Sequence, residues 1–290
     1  MTKDLAPRNH RNTGTAADPA ARFDLDALSA AFHADGAVVV RGLFTPEQVA
    51  LAERGVAFNL AHPGPFAGVA SDPSDPGRFF EDFRNWQRIP EYEALATGSA
   101  APAVAAALMR ARTVRFHHDH LLVKEAATRQ PTPWHQDQPY YNIDGFQTCS
   151  LWAPLDPVPA EASLKFVAGS HLGPWLMPRT FLSEEAKWFP AGALAELPDI
   201  DGAPEQHRIL NWALEPGDAV LFHMLTLHAS GGTTTRRRAL SLRFVGDDVV
   251  HAPRPWKTSP DFPGLADELP AGAPLDHPLF PVVWTAVDAH

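Results

Sequence analysis

The sequence predicts one mainly β domain with flanking helices, and three observations carry that expectation. The chain has 290 residues, 45% of them hydrophobic, enough to bury one substantial core. Its 29 prolines and 19 glycines require many turns and long connections, which suit a sheet protein better than a helical bundle. From Thr113 onward the apolar pattern alternates with a period of two, whereas several segments before it repeat at helical spacing.

Composition narrows the function classes. With 24 basic and 34 acidic residues the formal charge is -10, and no lysine or arginine run is long enough to track a phosphate backbone. Nucleic acid is therefore not an expected partner. Arg236, Arg237 and Arg238 form the basic cluster, and it lies inside a strand pattern rather than on a tail. Cys149 is the single cysteine, so no internal disulfide can form. No apolar stretch marks a secretory signal or a membrane span, so a cytoplasmic protein with no membrane partner is expected.

The elements follow in order. Residues 1–22 read as a flexible polar arm and 23–290 as the domain. Leu25, Leu28 and Phe32 give a helix over 23–34, and "GAVVVRGLF" over 36–44 gives a β-branched strand. Thr45 is placed to cap the next helix, with Pro46 at its first position and Gln48 completing a capping box. That helix should run over 46–60 and bury Val49, Ala52, Val56 and Leu60. Residues 62–84 read as turns around "SDPSDPG", and two short helices are expected at 90–97 and 101–112.

"TVRFHHDHLLVKEA" is the first long strand. His118 and His120 share a face there, but no carboxylate stands at matching spacing and Lys124 closes the strand; His120 or a neighbour is expected to line a cavity instead. "QTCSLWAPLDPV" and "ASLKFVAGSH" are further strands, the second ending in a turn at 169–171. Residues 173–208 form a long proline-broken insertion with a helix expected near 183–188; a loop this long suggests a substrate cover. After the turn at 216–218, alternation puts Phe222, Met224, Thr226, His228 and Ser230 on one face, with His223 on the other. In "RRRALSLRF", Arg237, Ala239, Ser241 and Arg243 share one face and Arg238, Leu240, Leu242 and Phe244 the other. The tail over 250–290 should wrap the core through Trp256, Phe262, Phe280 and Trp284.

The chemistry concentrates in "PTPWHQDQPYYNIDG". In an extended strand His135 and Asp137 project from one side with Gln136 turned away, bringing an imidazole and a carboxylate to one point. That is two thirds of a 2-His-1-carboxylate facial triad, although such a pair also arises as a solvated or hydrogen-bonded couple. His228, at a strand end beside Ser230 and a glycine turn, is the candidate third ligand. Arg237 lies on the face with small neighbours, and its fork can take an acidic cosubstrate bidentately.

His135-x-Asp137, a distant His228 and an arginine in the next strand resemble the phytanoyl-CoA dioxygenase family of Fe(II)/2-oxoglutarate oxygenases. The likeness runs from about Gly36 to Phe280 and is densest in "TPWHQDQPYY", "SLWAPLDPV", "FVAGSH" and "RRRALSLRF". It implies a double-stranded β-helix, or jelly roll, with the metal between two sheets. It implies His135, Asp137 and His228 as iron ligands, and Arg237 as partner of the distal carboxylate of 2-oxoglutarate. Ser230 matches an assisting hydroxyl, Trp152 a cavity-lining aromatic, and His120 another cosubstrate-facing position. The loop between His228 and the arginines is shorter than the family's, which leaves Arg238 as the alternative to Arg237.

The resemblance further implies O2 as co-reactant, succinate and CO2 as by-products, and hydroxylation or a related oxidation of a small-molecule metabolite. Halogenating relatives carry a small residue where Asp137 stands, so its carboxylate implies oxidation without halogenation. A metal-binding jelly roll that does not use 2-oxoglutarate is the alternative reading; it would have no need of Arg237. Trp134, Tyr140, Tyr141, Trp152 and the 173–208 insertion are expected to form the substrate walls.

Overall fold

Inward and outward faces of one large antiparallel sheet organise the molecule. The computed structural model describes residues 19–177 and 194–286. The large sheet runs Ala37–Val40, Ala219–Phe222, Thr148–Pro154, Arg237–Val245, Thr113–Lys124, Phe79–Phe83, Gly68–Val69, and Val282–Thr285 of the tail also pairs with Thr113–Lys124. A second sheet runs Thr132–His135, His228–Ser230, Lys165–Val167, Ile209–Leu210. The two face each other, with Phe166 of the second packed at 5.0 Å on Phe222 of the first. This is the jelly roll that the resemblance implied.

The outer face of the large sheet is apolar because it is covered by helices. Leu25–Asp35, Pro46–Ala61, Pro90–Gly98 and Ala101–Met109 pack there against Val38, Leu121, Val123, Leu151, Leu240, Leu242 and Phe244. The helix at Pro46 starts as its sequence dictates: Gln48 N–H donates to Thr45 Oγ1 and Thr45 N–H donates to Gln48 Oε1. Inner positions of the same strands carry the polar set, as alternation in Arg237–Val245 predicts.

Several expectations need correction. The body begins before residue 23, because Ala20 is buried and Arg22 donates to the carbonyls of Gly42 and Leu43. The strand read over 36–44 spans only Ala37–Val40, since the chain turns at Gly42, where φ is +59°. The stretch read as turns over 62–84 contains the strands Gly68–Val69 and Phe79–Phe83. Two adjacent acids hid the second, and both are accommodated: Asp82 accepts from Asn59 Nδ2 and Gly64 N–H, and Glu81 faces His120.

The segment read as one strand over 219–230 is two. It leaves the large sheet at Phe222, turns through a Thr226 N–H to His223 carbonyl bond, and joins the second sheet at His228. Phe222, His228 and Ser230 still line one cavity as expected, but Met224 packs with the tail cluster around Phe262 and Phe280 instead. The helix expected near 183–188 lies outside the described residues.

Candidate metal centre and its cavity

Strand pairing brings the ligands together. His228 is directly opposite His135 in the second sheet, and their ring centroids are 4.1 Å apart. Asp137 arrives by a different route from the one alternation suggested. The strand ends at His135, and Asp137 has helical backbone angles (φ -72°, ψ -46°) at the start of a short 3-10 turn. The amides of Asp137 and Gln138 both donate to Met224 carbonyl, at 2.8 and 3.0 Å, which pins this turn to the sheet crossover. Gln136 does turn away: its amide donates to Leu225 and Pro174 carbonyls and accepts from Leu176 N–H.

Asp137 Oδ1 lies 3.6 Å from His135 Nε2 and 3.7 Å from His228 Nε2, and the candidate ligand atoms are all within 4.8 Å of one another. The other nitrogen of each ring is committed: His135 Nδ1 lies 2.8 Å from Pro133 carbonyl and His228 Nδ1 2.9 Å from Thr226 carbonyl. A carbonyl only accepts, so each Nδ1 must carry the proton and each Nε2 presents its lone pair inward. Burial drives the His228 pKa down to about 3, which keeps the ring in the ligating form. Two neutral imidazoles and one carboxylate grouped in this way fit a divalent iron held from one side.

The carboxylate is itself held. Burial alone would raise the Asp137 pKa, but Arg243 and the two imidazoles override it and keep the group well below the usual carboxylate range. Arg243 reaches Asp137 Oδ2 at 3.1 Å, and Ser150 donates to the same oxygen at 2.6 Å. Arg243 also donates to Tyr141 Oη at 3.2 Å and to Ser241 Oγ. All of Arg243 but 4% is buried. The sequence put it on the cavity face without giving it a role. The available signal was its position on the same strand face as Arg237, directly opposite Ser150.

A cavity of about 240 Å³ opens beside the triad. His120, Trp152, Ser230 and Arg237 all line it, as do Tyr140 and Tyr141. Arg237 is 7% exposed, donates to Ser230 Oγ at 3.2 Å and to Ala162 carbonyl, and lies 5.8 Å from the Trp152 ring centre. It has no carboxylate partner among the described residues, and burial pulls its pKa down to about 10. A buried guanidinium in that state can take an anion. Lys124 stands directly opposite on the next strand, with Nζ 3.5 Å from the same Ser230 Oγ and donating to Gln130 and Gly231 carbonyls. Arg238 points away, paired with Asp156 and Glu53, which removes it as the alternative to Arg237.

One expected wall, Trp134, is not a wall, and residues 178–193 of the expected insertion lie outside the described residues. Trp134 packs in a separate apolar cluster with Val167, Leu176, Ile200 and Leu227. None of the described residues of 173–208 lines the cavity, whereas Val69, Glu81 and Phe83 from the overlooked strands do, with Ser259 from the tail.

A two-sheet barrel with this triad at its inner face defines the class of non-haem iron enzymes that use 2-oxoglutarate. The sequence profile of the phytanoyl-CoA dioxygenase family (PhyH) matches residues 32–239, and the chain belongs to that family. A probable phytanoyl-CoA dioxygenase of Caenorhabditis elegans is 30% identical over 121 residues, covering 40% of this chain and 37% of that protein, so the match spans little more than a third of the curated relative. Among solved structures, the epimerase SnoN in complex with Fe3+, alpha ketoglutarate and nogalamycin RO is 26% identical with a TM-score of 0.72, covering 92% of this chain and all (100%) of that one. The alpha-ketoglutarate-dependent carbocyclase SnoK from nogalamycin biosynthesis is 22% identical with a TM-score of 0.71, covering 91% and 98%, a likeness of fold. Among the described residues no helix is long and apolar enough to cross a membrane.

Proposed function

We propose that the protein is an Fe(II)/2-oxoglutarate-dependent dioxygenase that oxidises an unactivated C–H bond of a small-molecule metabolite in the cytosol, hydroxylation being the default outcome. The observation that carries this reading is the pairing of a three-ligand cluster with a buried, carboxylate-free Arg237 in one cavity. His135, Asp137 and His228 would hold the iron. Arg237 and Ser230 would take the distal carboxylate of 2-oxoglutarate beside Trp152. Bound there, the metal and cosubstrate supply oxygen activation coupled to decarboxylation, giving succinate and CO2.

The chain's own contribution is placement. Pro133 and Thr226 carbonyls fix both imidazole tautomers, and Arg243 with Ser150 fixes the carboxylate. Arg237 would orient the cosubstrate by its distal carboxylate. Phe83, Tyr140, Tyr141, Trp152 and Phe222 line the site and would limit water around a bound substrate. Because Asp137 occupies a ligand position, halogenation is not proposed. The reading without 2-oxoglutarate is disfavoured because it leaves the buried Arg237 without purpose and without a counter-charge.

The test is succinate release from 2-oxoglutarate by the iron-loaded protein. Arg237→Ala should raise the KM for 2-oxoglutarate about a hundredfold, the loss of roughly 3 kcal/mol of charge-assisted bonding, while iron binding stays intact. No succinate release by the wild-type protein would favour the reading without 2-oxoglutarate, and undiminished affinity in the variant would remove Arg237 as the anchor. Chlorinated product from the wild-type protein in chloride buffer would refute the role given to Asp137.

A further inference from the structure

The inner face of the large sheet divides the cavity into three regions. Arg243 and Ser150 carry the metal end, Arg237 and Ser230 the anion end, and beyond Thr113–Lys124 lies a third region built by Phe79–Phe83 and Gly68–Val69. Pairing puts Phe83 opposite His120 and Glu81 opposite Leu122, so all four side chains point into the cavity. Phe83 stacks on His120 with ring centres 3.8 Å apart and planes 20° apart, which fixes the imidazole.

This region has chemistry that the metal and cosubstrate do not use. Glu81 is the carboxylate here that faces no lysine or arginine among the described residues; its neighbour is His120 Nε2 at 3.4 Å. That contact lacks hydrogen-bond alignment, and His120 Nε2 is buried with no hydrogen-bond partner among the described residues. The misaligned Glu81 contact meets the capacity of this buried nitrogen poorly, so a group with a polar hydrogen between the two would improve it. The walls around it are apolar: Val69, Ala70, Phe83 and Leu122. Neither cavity arginine pairs with Glu81: Arg243 is bound to Asp137, and Arg237 donates to Ser230 and Ala162.

We propose that Glu81 and His120 form the substrate-anchoring end of the cavity and take an O–H or N–H donor carried on a compact apolar molecule. A hydroxyl or amine would donate to the Glu81 carboxylate and close the gap to His120 Nε2. A substrate carboxylate or phosphate at this wall would meet Glu81 with like charge and be rejected. His120, which the family resemblance turned towards the cosubstrate, belongs by this argument to the substrate, since an oxo-diacid would be repelled by the same carboxylate. The inference rests on the reading above for the other two regions, but its test can be separated from it.

The experiment uses protein loaded with Zn(II), which has no redox chemistry and so permits binding without turnover. 2-Oxoglutarate is added, and cyclohexanol, cyclohexylamine and cyclohexanecarboxylate are titrated calorimetrically as probes. Alcohol and amine should bind at least about tenfold tighter than the carboxylate. Glu81→Gln should keep the alcohol and lose the preference for the amine. Glu81→Ala should bind all three alike, with a thermal melt showing that it is folded. Equal or tighter binding of the carboxylate by the wild-type protein, an unchanged ranking in both variants, or no binding of any probe would overturn the proposal. Failure of the metal-loaded protein to bind 2-oxoglutarate without a probe would count instead against the dioxygenase reading.

Discussion

At pH 5 the metal-free protein should be at least about 4 kcal/mol less stable to urea than at pH 7, a large part of a normal folding free energy. His117 and His223 account for that minimum, and His228 and His118, whose pKa values burial also lowers, act in the same direction. Burial lowers the pKa of His117 and His223 to about 3. His223 is packed and bonded, with Nε2 2.7 Å from Phe146 carbonyl, and His117 stacks 5.1 Å from Phe280. In the unfolded chain each would take a proton near pH 6.5. The sign follows: below that pH the unfolded state binds more protons than the folded one, so stability falls continuously until the folded pKa near 3 is reached. Each group contributes about 2 kcal/mol by pH 5, at roughly 1.4 kcal/mol per unit. Two further groups act in opposite directions over this interval. Burial raises Asp119 to about 6, so the folded state gains a proton and some stability as pH falls towards 5. Burial and Arg237 lower Lys124 to about 6, so its penalty still grows between pH 7 and 6. These two effects are of similar size and cancel. Urea midpoints across pH 5–7 that rise or stay flat on acidification would contradict this account.

Legibility differed by kind of signal. Local chemistry read well: the Thr45 capping box, the long strand from Thr113 and the face division of Arg237–Val245 are all set by near neighbours in sequence. The three residues that cluster, His135, Asp137 and His228, were legible from residue type and order, but the geometry that assembles them was not. Alternation predicted His135 and Asp137 on one pleated face, whereas Asp137 is carried by a 3-10 turn anchored to Met224. His228 arrives after a crossover between sheets that an unbroken apolar pattern concealed. Phe79–Phe83 was missed for the opposite reason. Its acids look like loop residues until His120 and Asn59, distant in sequence, are brought beside them. Arg243 and Ser150 belong to the same group: each has a role only because register places it against Asp137.

Arg243→Met should cost the metal-free protein about 3–5 kcal/mol and weaken metal binding about ten- to a hundredfold, although the arginine is not itself a ligand. The cause is the buried pair it forms with Asp137: without the guanidinium, a carboxylate remains in a dry pocket with only Ser150 as donor on that oxygen. Asp137→Leu should lose as much stability, because it leaves Arg243 charged and buried, and it should abolish metal binding altogether. The double variant distinguishes a true pair from two independent packing losses. Removing both charges replaces an expensive buried ion pair with apolar contacts, so its stability should return to within about 1–2 kcal/mol of wild type. Metal binding should stay abolished. Such a result would mean that the pair exists to aim Asp137 and not to hold the fold together, since the same barrel would stand without it. Simple addition of the two single losses, measured as urea midpoints at pH 7, would instead make Arg243 a structural residue whose contact with Asp137 is incidental.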